Sequence, residues 1–400
     1  MGNPEDAIGV LDKGMRSFLE VRYLLASRVF LLILTGFGQL GCASSTTEPV
    51  GASGNLKVQP VALSWIHMST VSTGWALSGK GVLRSTDGGR EWTKLRGLPL
   101  SARYPHAVMT AHGPNEAWVV ALVKENVDAI YTKARVFSTT DAGRHWFRSR
   151  ALRGYGESLD FEDSRRGWLF AGLGVATGSV GHNLYRTSDG GRNWKLIEYN
   201  HIDRGSKGSL NPCNGLEGTS FSTYQEGWST GMCGPGPQLL MMYRSVDGGV
   251  HWHAQPLPWP RRYHVNFWNV ALPAFTGSDG VLPVSLATPA AFVLYLTHDG
   301  GDRWFPTTPI KQRSAVEYPD AFLLDPQDVW AVVDGTLYLS VDTGSHWRPL
   351  SHHFNGGELD FITAQEGFAL NVPGPTLTIQ LFRTDDGGRS WRSVETVLAG

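Results

Sequence analysis

The sequence predicts an all-β protein: a seven-bladed β-propeller of four-stranded antiparallel blades, preceded by a signal peptide. Two repeated patterns carry this prediction. One is Ser/Thr-x-Asp-x-Gly-x-x-Trp, which occurs seven times, and the other is a Gly-Trp-like motif ahead of most of those copies. The composition agrees, since 48 Gly and 15 Trp among 400 residues suit short strands joined by tight turns.

Each copy of the first pattern, called a box below, is predicted to close a β-hairpin. Its Asp can accept backbone N–H groups of its own turn, and its Gly supplies the positive φ that other residues resist. Its Trp is predicted to pack as a wedge between neighbouring blades. The boxes recur every 43 to 58 residues, close to the roughly 40 to 50 residues of a propeller blade. The box aspartates are Asp87, Asp141, Asp189, Asp247, Asp299, Asp342 and Asp386.

The second motif predicts one inner strand per blade. An apolar stretch such as Leu159-Asp160-Phe161 precedes it, so each repeat contains four strands. The fifth repeat has Gly280-Val281 where the aromatic residue belongs, and we expect that blade to be the least regular. The motifs are Gly74-Trp75, Ala117-Trp118, Gly167-Trp168, Gly227-Trp228, Val329-Trp330 and Gly367-Phe368.

The boxes resemble Asp-box (BNR) repeats, and the resemblance covers residues 58–400. Boxes paired with Gly-Trp motifs are more similar to the photosystem II assembly and stability factor (Ycf48/Hcf136-like) branch of the sialidase-type superfamily than to sialidases. The resemblance implies seven blades rather than six, with the boxes at the blade periphery. It also implies an assembly factor that holds a client protein through an arginine-rich patch. A photosynthetic host does not follow from the sequence.

The N-terminal segment predicts export. Residues 1–42 carry Arg16, Arg22 and Arg28 ahead of a short apolar run, as in a signal peptide. Leu40-Gly41-Cys42 resembles a bacterial lipoprotein box in which Cys42 is lipidated, although the same residues also suit an ordinary signal peptidase. Residues 43–57 then form a flexible linker to the propeller. We expect a lipid-anchored protein on the periplasmic side of a bacterial membrane, or a secreted one.

Charge and motifs exclude several function classes. The formal net charge is −1, which does not favour nucleic acid. The sequence has no Gly-x-Ser-x-Gly elbow, His-Glu-x-x-His helix or P-loop, and no cofactor or metal is predicted. His251 and His253 share a face of their strand but are predicted to be a surface pair. The Phe/Tyr-Arg-Ile-Pro motif of sialidases is absent, so their arginine triad cannot be assigned.

Basic and aromatic residues follow the last strand of most blades. Connections from an outer strand to the next inner strand emerge on one face of a propeller, so these residues should form a ring there. Arg with Tyr or Trp is the composition of interface hot spots. A solvated loop face balanced by Asp160, Asp203 and Glu317 is the alternative. The candidate interaction residues are Arg103, Tyr104, Arg153, Tyr155, Arg204, Arg261, Arg262, Tyr263, Lys311 and Arg313.

Two functions are compatible with this sequence. The first is a monomeric, non-catalytic scaffold for a membrane-associated protein client. The second is a sialidase-like exo-glycoside hydrolase or carbohydrate-binding propeller, which needs three arginines beside a Tyr–Glu pair. The missing catalytic motifs favour the scaffold.

The two remaining cysteines give a first test. Cys213 and Cys233 lie in the fourth repeat, and in an oxidising compartment they are expected to form a disulfide. Thiol titration of the denatured, exported protein should detect no free thiol from this pair. Two reactive thiols would contradict the disulfide.

Overall fold

The computed structural model describes the chain from residue 59 to residue 399, with gaps. The described ranges are 59–98, 107–124, 133–176, 179–201, 205–210, 215–232, 240–260, 263, 267–313, 320–325, 327–351, 354, 358–371 and 379–399. Within them the chain forms strands and no helix, and these strands make seven sheets of four to six strands, antiparallel except for one pairing in blade 1. The described part accordingly contains no helix that is long and apolar enough to cross a membrane. The predicted seven-bladed β-propeller is confirmed.

The first three blades contain strands β1 to β15. Blade 1 holds β1 (Gln59–Pro60), β2 (Leu63–Met68), β3 (Gly74–Ser78), β4 (Gly81–Ser85) and β5 (Glu91–Lys94). Blade 2 holds β6 (Val108–His112), β7 (Glu116–Lys124), β8 (Lys133–Thr139), β9 (Phe147–Arg148) and β10 (Leu152–Arg153). Blade 3 holds β11 (Tyr155–Phe161), β12 (Gly167–Ala176), β13 (Ser179–Thr187), β14 (Lys195–His201) and β15 (Gly205–Lys207).

The remaining four blades contain β16 to β33. Blade 4 holds β16 (Leu216–Phe221), β17 (Gly227–Met232), β18 (Leu240–Ser245) and β19 (His253–Ala254). Blade 5 holds β20 (Phe267–Val270), β21 (Ala274–Thr276), β22 (Asp279–Ala287), β23 (Ala290–Thr297), β24 (Phe305–Pro306) and β25 (Ile310–Lys311). Blade 6 holds β26 (Asp320–Leu323), β27 (Val329–Val333), β28 (Thr336–Ser340) and β29 (Arg348–Ser351), and blade 7 holds β30 (Leu359–Phe361), β31 (Gly367–Asn371), β32 (Gln380–Thr384) and β33 (Arg392–Val394).

The innermost strand of each blade, called its first strand below, faces the centre of the ring; in blade 1 this is β2, because β1 lies at the outer edge of the sheet. First strands contact one another from blade to blade, as β11 does with β6 and β16 and as β30 does with β2 and β26. The Gly-Trp motifs lie on second strands, in the strand order that the sequence predicted. The apolar stretch ahead of each motif takes the inner place. Blade 5 is irregular at both edges: its first strand is split into β20 and β21 along β22, and its fourth strand is split into β24 and β25 along β23.

The two ends of the described chain close the ring. After blade 7, β34 (Val397–Leu398) pairs in parallel with β5 of blade 1, and β1 pairs with β34 in the antiparallel sense. Val61 and Phe368 belong to one apolar cluster that fills the interface between blades 7 and 1. Terminal segments from both ends of the described chain thus meet on blade 1, which gives that sheet six strands.

Each box is a hydrogen-bonded turn built in the same way. The Ser or Thr hydroxyl donates to the Asp Oδ1 over 2.8–2.9 Å, and the Asp Oδ1 accepts the backbone N–H four residues beyond it over 2.9–3.0 Å. In blade 1 the turn needs positive φ at Gly88 (79°) and Gly89 (83°). Ala142 and Thr343 adopt positive φ where the other boxes have their first glycine. The turn therefore forms even where alanine or threonine, which disfavour positive φ, stands in place of the first glycine.

The box turn docks onto the turn between the first and second strands of its own blade. The N–H after the box Asp donates to a carbonyl of that turn, as from Gly190 to Arg165 and from Gly248 to Gln225, over 2.8 Å in both cases. The same bond recurs in blades 1, 2, 5 and 7. Both turns consequently lie at one end of the blade.

Aromatic stacks join blades 2 and 3, blades 3 and 4, and blades 6 and 7. Trp168 of blade 3 is fully buried and stacks on Phe221 of blade 4, with ring centroids 3.9 Å apart, and Trp252 of blade 4 meets the same Phe edge-on. The Trp168 indole N–H donates to the Gly248 carbonyl, inside the box of blade 4, over 3.1 Å. The box Trp contributes to this contact, but the Trp of the second strand is the side chain that reaches across to the next box.

The indole bond recurs in blades 2 and 6, is rerouted in blades 1 and 4, and is absent from blades 5 and 7, which have Val281 and Phe368 at this position. Trp118 and Trp330 donate to the equivalent box glycines of their next blades over 3.2 Å. Trp75 donates instead to Gly113, over 3.1 Å. Trp228 donates to the side-chain oxygen of Gln255, and the side-chain nitrogen of Gln255 donates to the Gly301 carbonyl in the box of blade 5. Phe368 occupies this position in blade 7 and has no N–H.

Replacing one indole should separate the stacking from the hydrogen bond. Trp330→Phe keeps an aromatic ring on Phe361 but removes the bond to Gly387. We expect a loss of about 1 kcal/mol in the free energy of unfolding, whereas Trp330→Ala should cost about 3–5 kcal/mol because it leaves a cavity. Urea unfolding measures both. No loss in Trp330→Phe would show that the hydrogen bond adds nothing of its own, and equal losses for the two variants would show that the retained ring adds nothing.

Candidate functional site

The two ends of the blades differ in what they expose. One end, the box end, carries the boxes and the turns on which they dock. The other end, the connection end, carries the hairpins between second and third strands and the connections from each fourth strand to the next blade. The Phe354 N–H donates to the Gly335 carbonyl over 2.8 Å, which brings a connection and such a hairpin together.

Five of the ten candidate interaction residues lie in the described chain. Arg153, Tyr155, Tyr263, Lys311 and Arg313 are all on or beside connections between blades. The other five candidates, together with the predicted lipidation and disulfide cysteines, lie outside the described residues: Arg103, Tyr104, Arg204, Arg261, Arg262, Cys42, Cys213 and Cys233.

Lys311 and Arg313 present positive charge between blades 5 and 6. Lys311 is exposed at the end of β25, and the Arg313 side chain is 85% exposed. The backbone of Arg313 is nevertheless fixed, because its N–H donates to Asp334 Oδ2 over 2.7 Å. Its guanidinium also donates to the Asp334 carbonyl over 3.3 Å. The connection therefore holds a solvent-facing cation at a defined place.

Arg153 lies between blades 2 and 3 and is held much more tightly. Its N–H donates to the Tyr185 hydroxyl, which donates in turn to the Arg153 carbonyl over 3.1 Å. The Asn183 side-chain amide donates to the same carbonyl over 3.0 Å. The guanidinium Nη1 is 3.4 Å from Nδ1 of His201, a buried ring. Burial raises the pKa of Tyr185, so its hydroxyl stays protonated and can donate.

Tyr155 and Glu157 extend this polar surface along β11. A Cβ added to Gly172 would lie 2.5 Å from Glu157 Oε1 and 2.7 Å from the Tyr155 hydroxyl. Because Gly172 has no side chain, the Tyr155 hydroxyl and the Glu157 carboxylate both fit above it. Tyr263 plays a different part, since it packs half-buried against the core of blade 5.

Four arginines outside the predicted set of interaction residues form clamps at the box end. Each precedes a box Ser or Thr and lies over an aromatic ring, as Arg186 does over Tyr224 at 4.9 Å. Arg186 also donates to the Gly248 carbonyl in the next blade. Arg244 binds Glu226 and Asp302, the latter in the box of blade 5. Their shared position, directly before the Ser or Thr of a box, is the sequence signal that identifies them. The four clamps are Arg84, Arg186, Arg244 and Arg383.

Three boxes add an Asp–His pair. His145, His251 and His346 donate from Nδ1 to the box carboxylate over 2.6–2.7 Å. The pKa of Asp342 falls to about 2 because the N–H and then the ring of His346 bind its charged form. His251 and His253 are both exposed, and the described residues contain no group of three side chains suited to a metal ion.

Side-chain oxygens on first strands accept hydrogen bonds from the next blade near the centre of the ring. Asp160 accepts the Phe221 N–H over 2.6 Å, and Ser158 accepts the Thr219 N–H over 3.0 Å. Asp360 likewise accepts the Met68 N–H across the closure between blades 7 and 1. Asp360 is 7% exposed, and burial raises its pKa to about 7. Burial also raises the pKa of Asp160, to about 6, although this side chain keeps partial contact with solvent.

The fold and its surfaces define a class: a seven-bladed β-propeller whose boxes are taken up by structural contacts and whose connection end carries fixed cations. No protein-family model matches the chain. It is 23% identical, over 311 residues, to the photosystem II assembly lipoprotein Ycf48 of Synechococcus sp. (strain CC9902), covering 70% of this chain and 87% of that protein. The predicted resemblance to this assembly-factor branch is confirmed.

Solved structures share the fold. A structure of Ycf48 bound to a D1 peptide superposes with a TM-score of 0.53 at 18% identity, covering 82% of this chain and 93% of that one. An ancestral glycoside hydrolase family 74 enzyme also superposes with a TM-score of 0.53, at 13% identity, covering 84% of this chain and 46% of that one. At these identities both superpositions show the fold alone.

The raised pKa of Asp360 predicts a pH dependence of stability. A carboxyl group whose pKa is higher in the folded than in the unfolded state stabilises the fold below about pH 4. That contribution is lost as the pH rises towards 7, by about 1.4 kcal/mol per pKa unit at most. Asp360→Asn keeps an acceptor for the Met68 N–H but cannot ionise, so its stability should fall less over this range.

Urea unfolding of the wild type and Asp360→Asn between about pH 4 and pH 8 measures the difference. His67, whose ring nitrogen lies 3.8 Å from Asp360, titrates in both proteins, so it tends to cancel in the comparison. Parallel pH profiles would contradict the assignment.

Proposed function

We propose that this protein is a non-catalytic propeller that holds a protein client during the assembly of a membrane complex, and that it binds the client at its connection end. The observation that carries the proposal is the contrast between the two ends. At the box end the four clamp arginines and the box aspartates make contacts between or within blades, and exposed cations such as Arg303 lie beside them, whereas at the connection end Lys311 and Arg313 are exposed on backbone held by the pairing of β25 and by Asp334.

The chemistry of these residues favours an acidic or carboxylate-bearing segment. A guanidinium binds a carboxylate through two parallel N–H donors, and Tyr adds rigid contact area at low entropic cost. Backbone fixed in advance reduces the ordering that binding requires. The similarity to a photosystem II assembly lipoprotein, and the D1 peptide bound to another Ycf48, support a client of this kind, a segment of a membrane-complex subunit.

Export and lipid anchoring are part of the same proposal. Residues 1–42 would direct export, Cys42 would carry the lipid, and residues 43–57 would tether the propeller, whose described chain begins at β1 on blade 1. The name of the Synechococcus relative, which is a lipoprotein, supports this arrangement. The protein would then meet clients at the surface of the membrane to which it is anchored.

A glycoside hydrolase is the second candidate, and one observation favours it. Tyr155 and Glu157 converge over Gly172, and a Tyr–Glu pair is what a sialidase-like nucleophile needs. Such an enzyme also needs three arginines around the carboxylate of the sugar. Among the described residues, Arg153 is one arginine beside this pair, whereas the enzyme needs three. A scaffold requires no such convergence and therefore fits better.

Capture of membrane proteins tests the scaffold. Arg153→Ala/Arg261→Ala/Arg262→Ala and Lys311→Ala/Arg313→Ala should each reduce client recovery from detergent-solubilised membranes of the host. We expect losses of about tenfold, the effect of removing about 1.4 kcal/mol of binding. Lys195→Ala/Arg303→Ala removes the same charges from exposed sites near the boxes and should leave recovery unchanged. Unchanged recovery with both connection-end variants would rule out this binding face.

A fluorogenic sialoside assay tests the alternative. The scaffold proposal predicts no turnover above that of a Tyr155→Phe/Glu157→Gln variant. Turnover that disappears in that variant would establish an enzyme.

A further inference from the structure

The four clamp arginines differ in the carboxylates that neutralise them. Arg244 has two such partners: Glu226, directly before the Gly-Trp motif of its own blade, at 3.0 Å, and Asp302, directly after the box Gly of the next blade. Arg383 keeps the first kind of partner, Glu366, at 3.5 Å. Two sequence positions therefore determine whether a clamp is neutralised, and we call them the motif position and the box position.

Arg84, the clamp between blades 1 and 2, has neither carboxylate. Thr73 occupies its motif position, and Arg144, a second cation, occupies the box position of blade 2. Among the described residues, neither Nη1 of Arg84 nor the guanidinium of Arg144 has a hydrogen-bond acceptor or an ion pair. The Nε of Arg84 is also buried without an acceptor, but Arg244 and Arg383 share that feature. The missing carboxylates are therefore what distinguishes Arg84.

The geometry places both cations at one junction between blades. Arg84 is half-buried, and its guanidinium lies over the Trp75 ring at 5.6 Å. Its Nη2 donates to the Pro114 carbonyl over 3.0 Å, and the carbonyl of the next residue, Asn115, holds the box that carries Arg144. Burial, and after it the charge of Arg144, lowers the pKa of Arg84, which is the direction that a neighbouring cation produces.

The acidic residues near this junction in sequence do not pair with the two arginines. Asp141 is held by its own box turn and by the ring of His145, over 2.6 Å. Glu116 forms no ion pair with Arg84 or Arg144 in the described part of the chain. The junction therefore holds two positive charges for which the described residues supply no counterion.

We propose that Arg84 and Arg144 form a binding site for a phosphate-like oxyanion at the box end of blades 1 and 2. Guanidinium groups bind phosphate oxygens through parallel N–H donors, and an anion between two of them offsets their repulsion. Arg84 is held in advance by Trp75 and Pro114, and the backbone of Arg144 is held by a closed box turn, which reduces the ordering that binding requires. This inference goes beyond the proposed function, because no client takes part in it.

NMR of the indole N–H groups reports on this site in the full exported protein. The Trp75 indole donates to the carbonyl of Gly113, which adjoins Pro114, and its signal is assigned with Trp75→Phe. Titration with inorganic phosphate at about pH 7.5 should shift this signal with a Kd of about 1 mM, the affinity expected for two charge-assisted hydrogen bonds. Sodium chloride of equal ionic strength controls for general screening and should leave the signal in place.

Two substitutions at one exposed position test the arginine pair. Arg144→Gln removes one guanidinium and should raise the Kd for phosphate at least about tenfold. Arg144→Asp places a carboxylate at the box position, as Asp302 does for Arg244, so it should pair with Arg84, abolish the phosphate response and raise the melting temperature. Thermal unfolding measures that rise and confirms that both variants fold.

Blade 3 offers a matched control. Arg192 occupies the same box position as Arg144 and is also exposed, but Ser138 stands at the clamp position of blade 2. The Trp118 indole, which donates into the box of Arg192, should therefore not respond to phosphate. Arg192→Gln should leave the Kd measured at Trp75 unchanged. Absence of a shift at Trp75, equal shifts at Trp75 and Trp118, or an unchanged Kd in Arg144→Gln would overturn the proposal.

Cosedimentation shows whether the oxyanion belongs to a soluble compound or to a phospholipid headgroup. The full exported chain with Cys42→Ser, which cannot be lipidated, is mixed with phosphatidylcholine vesicles that contain or lack phosphatidylglycerol. Binding that requires both phosphatidylglycerol and Arg144 supports the site with a headgroup as its ligand. A phosphate response at Trp75 without such binding supports the site with a soluble anion as its ligand.

Discussion

The ring depends on one contact, direct from blades 2, 3 and 6 and rerouted from blades 1 and 4, in which an indole from the second strand of one blade binds the turns of the next. In the direct contact the box carbonyl is available because the box turn is closed by its own Ser or Thr and Asp, and because the turn is docked on its own blade. Trp168 shows the complete arrangement, with its ring on Phe221 and its N–H on Gly248. A local turn motif thereby becomes the connection between blades.

This contact also explains why the two ends of the propeller differ. At the box end, an arginine such as Arg186 is committed to an aromatic ring and to the next box, so its donors are used within the fold. The described arginines at the connection end do not bind a box. Its connections vary in length and composition between blades, and side chains such as Arg313 are fixed at the backbone while their charge remains exposed. Recognition is therefore expected where the repeat is least regular.

The sequence predicted what is local and periodic. The number of boxes predicted the number of blades, and the apolar stretch ahead of each Gly-Trp motif predicted that another strand precedes the strand of the motif. Contacts between blades were harder to foresee, because they depend on how two sheets are aligned. The arginine clamps, the parallel pairing of β34 with β5 and the His201–Arg153 contact all join residues that no short pattern links. The connection end was predicted only as a set of residue types, and half of its candidates lie outside the described chain.

Site-specific photo-crosslinking in native membranes tests the central claim most directly, because it reports which end of the propeller touches a client. A photoreactive residue at position 311 or 313, on the connection end, should give adducts with a membrane protein. The same residue at position 246 or 341 should give none, since these exposed valines lie within boxes. Adducts from positions 246 and 341, without adducts from 311 and 313, would contradict the account and assign recognition to the boxes.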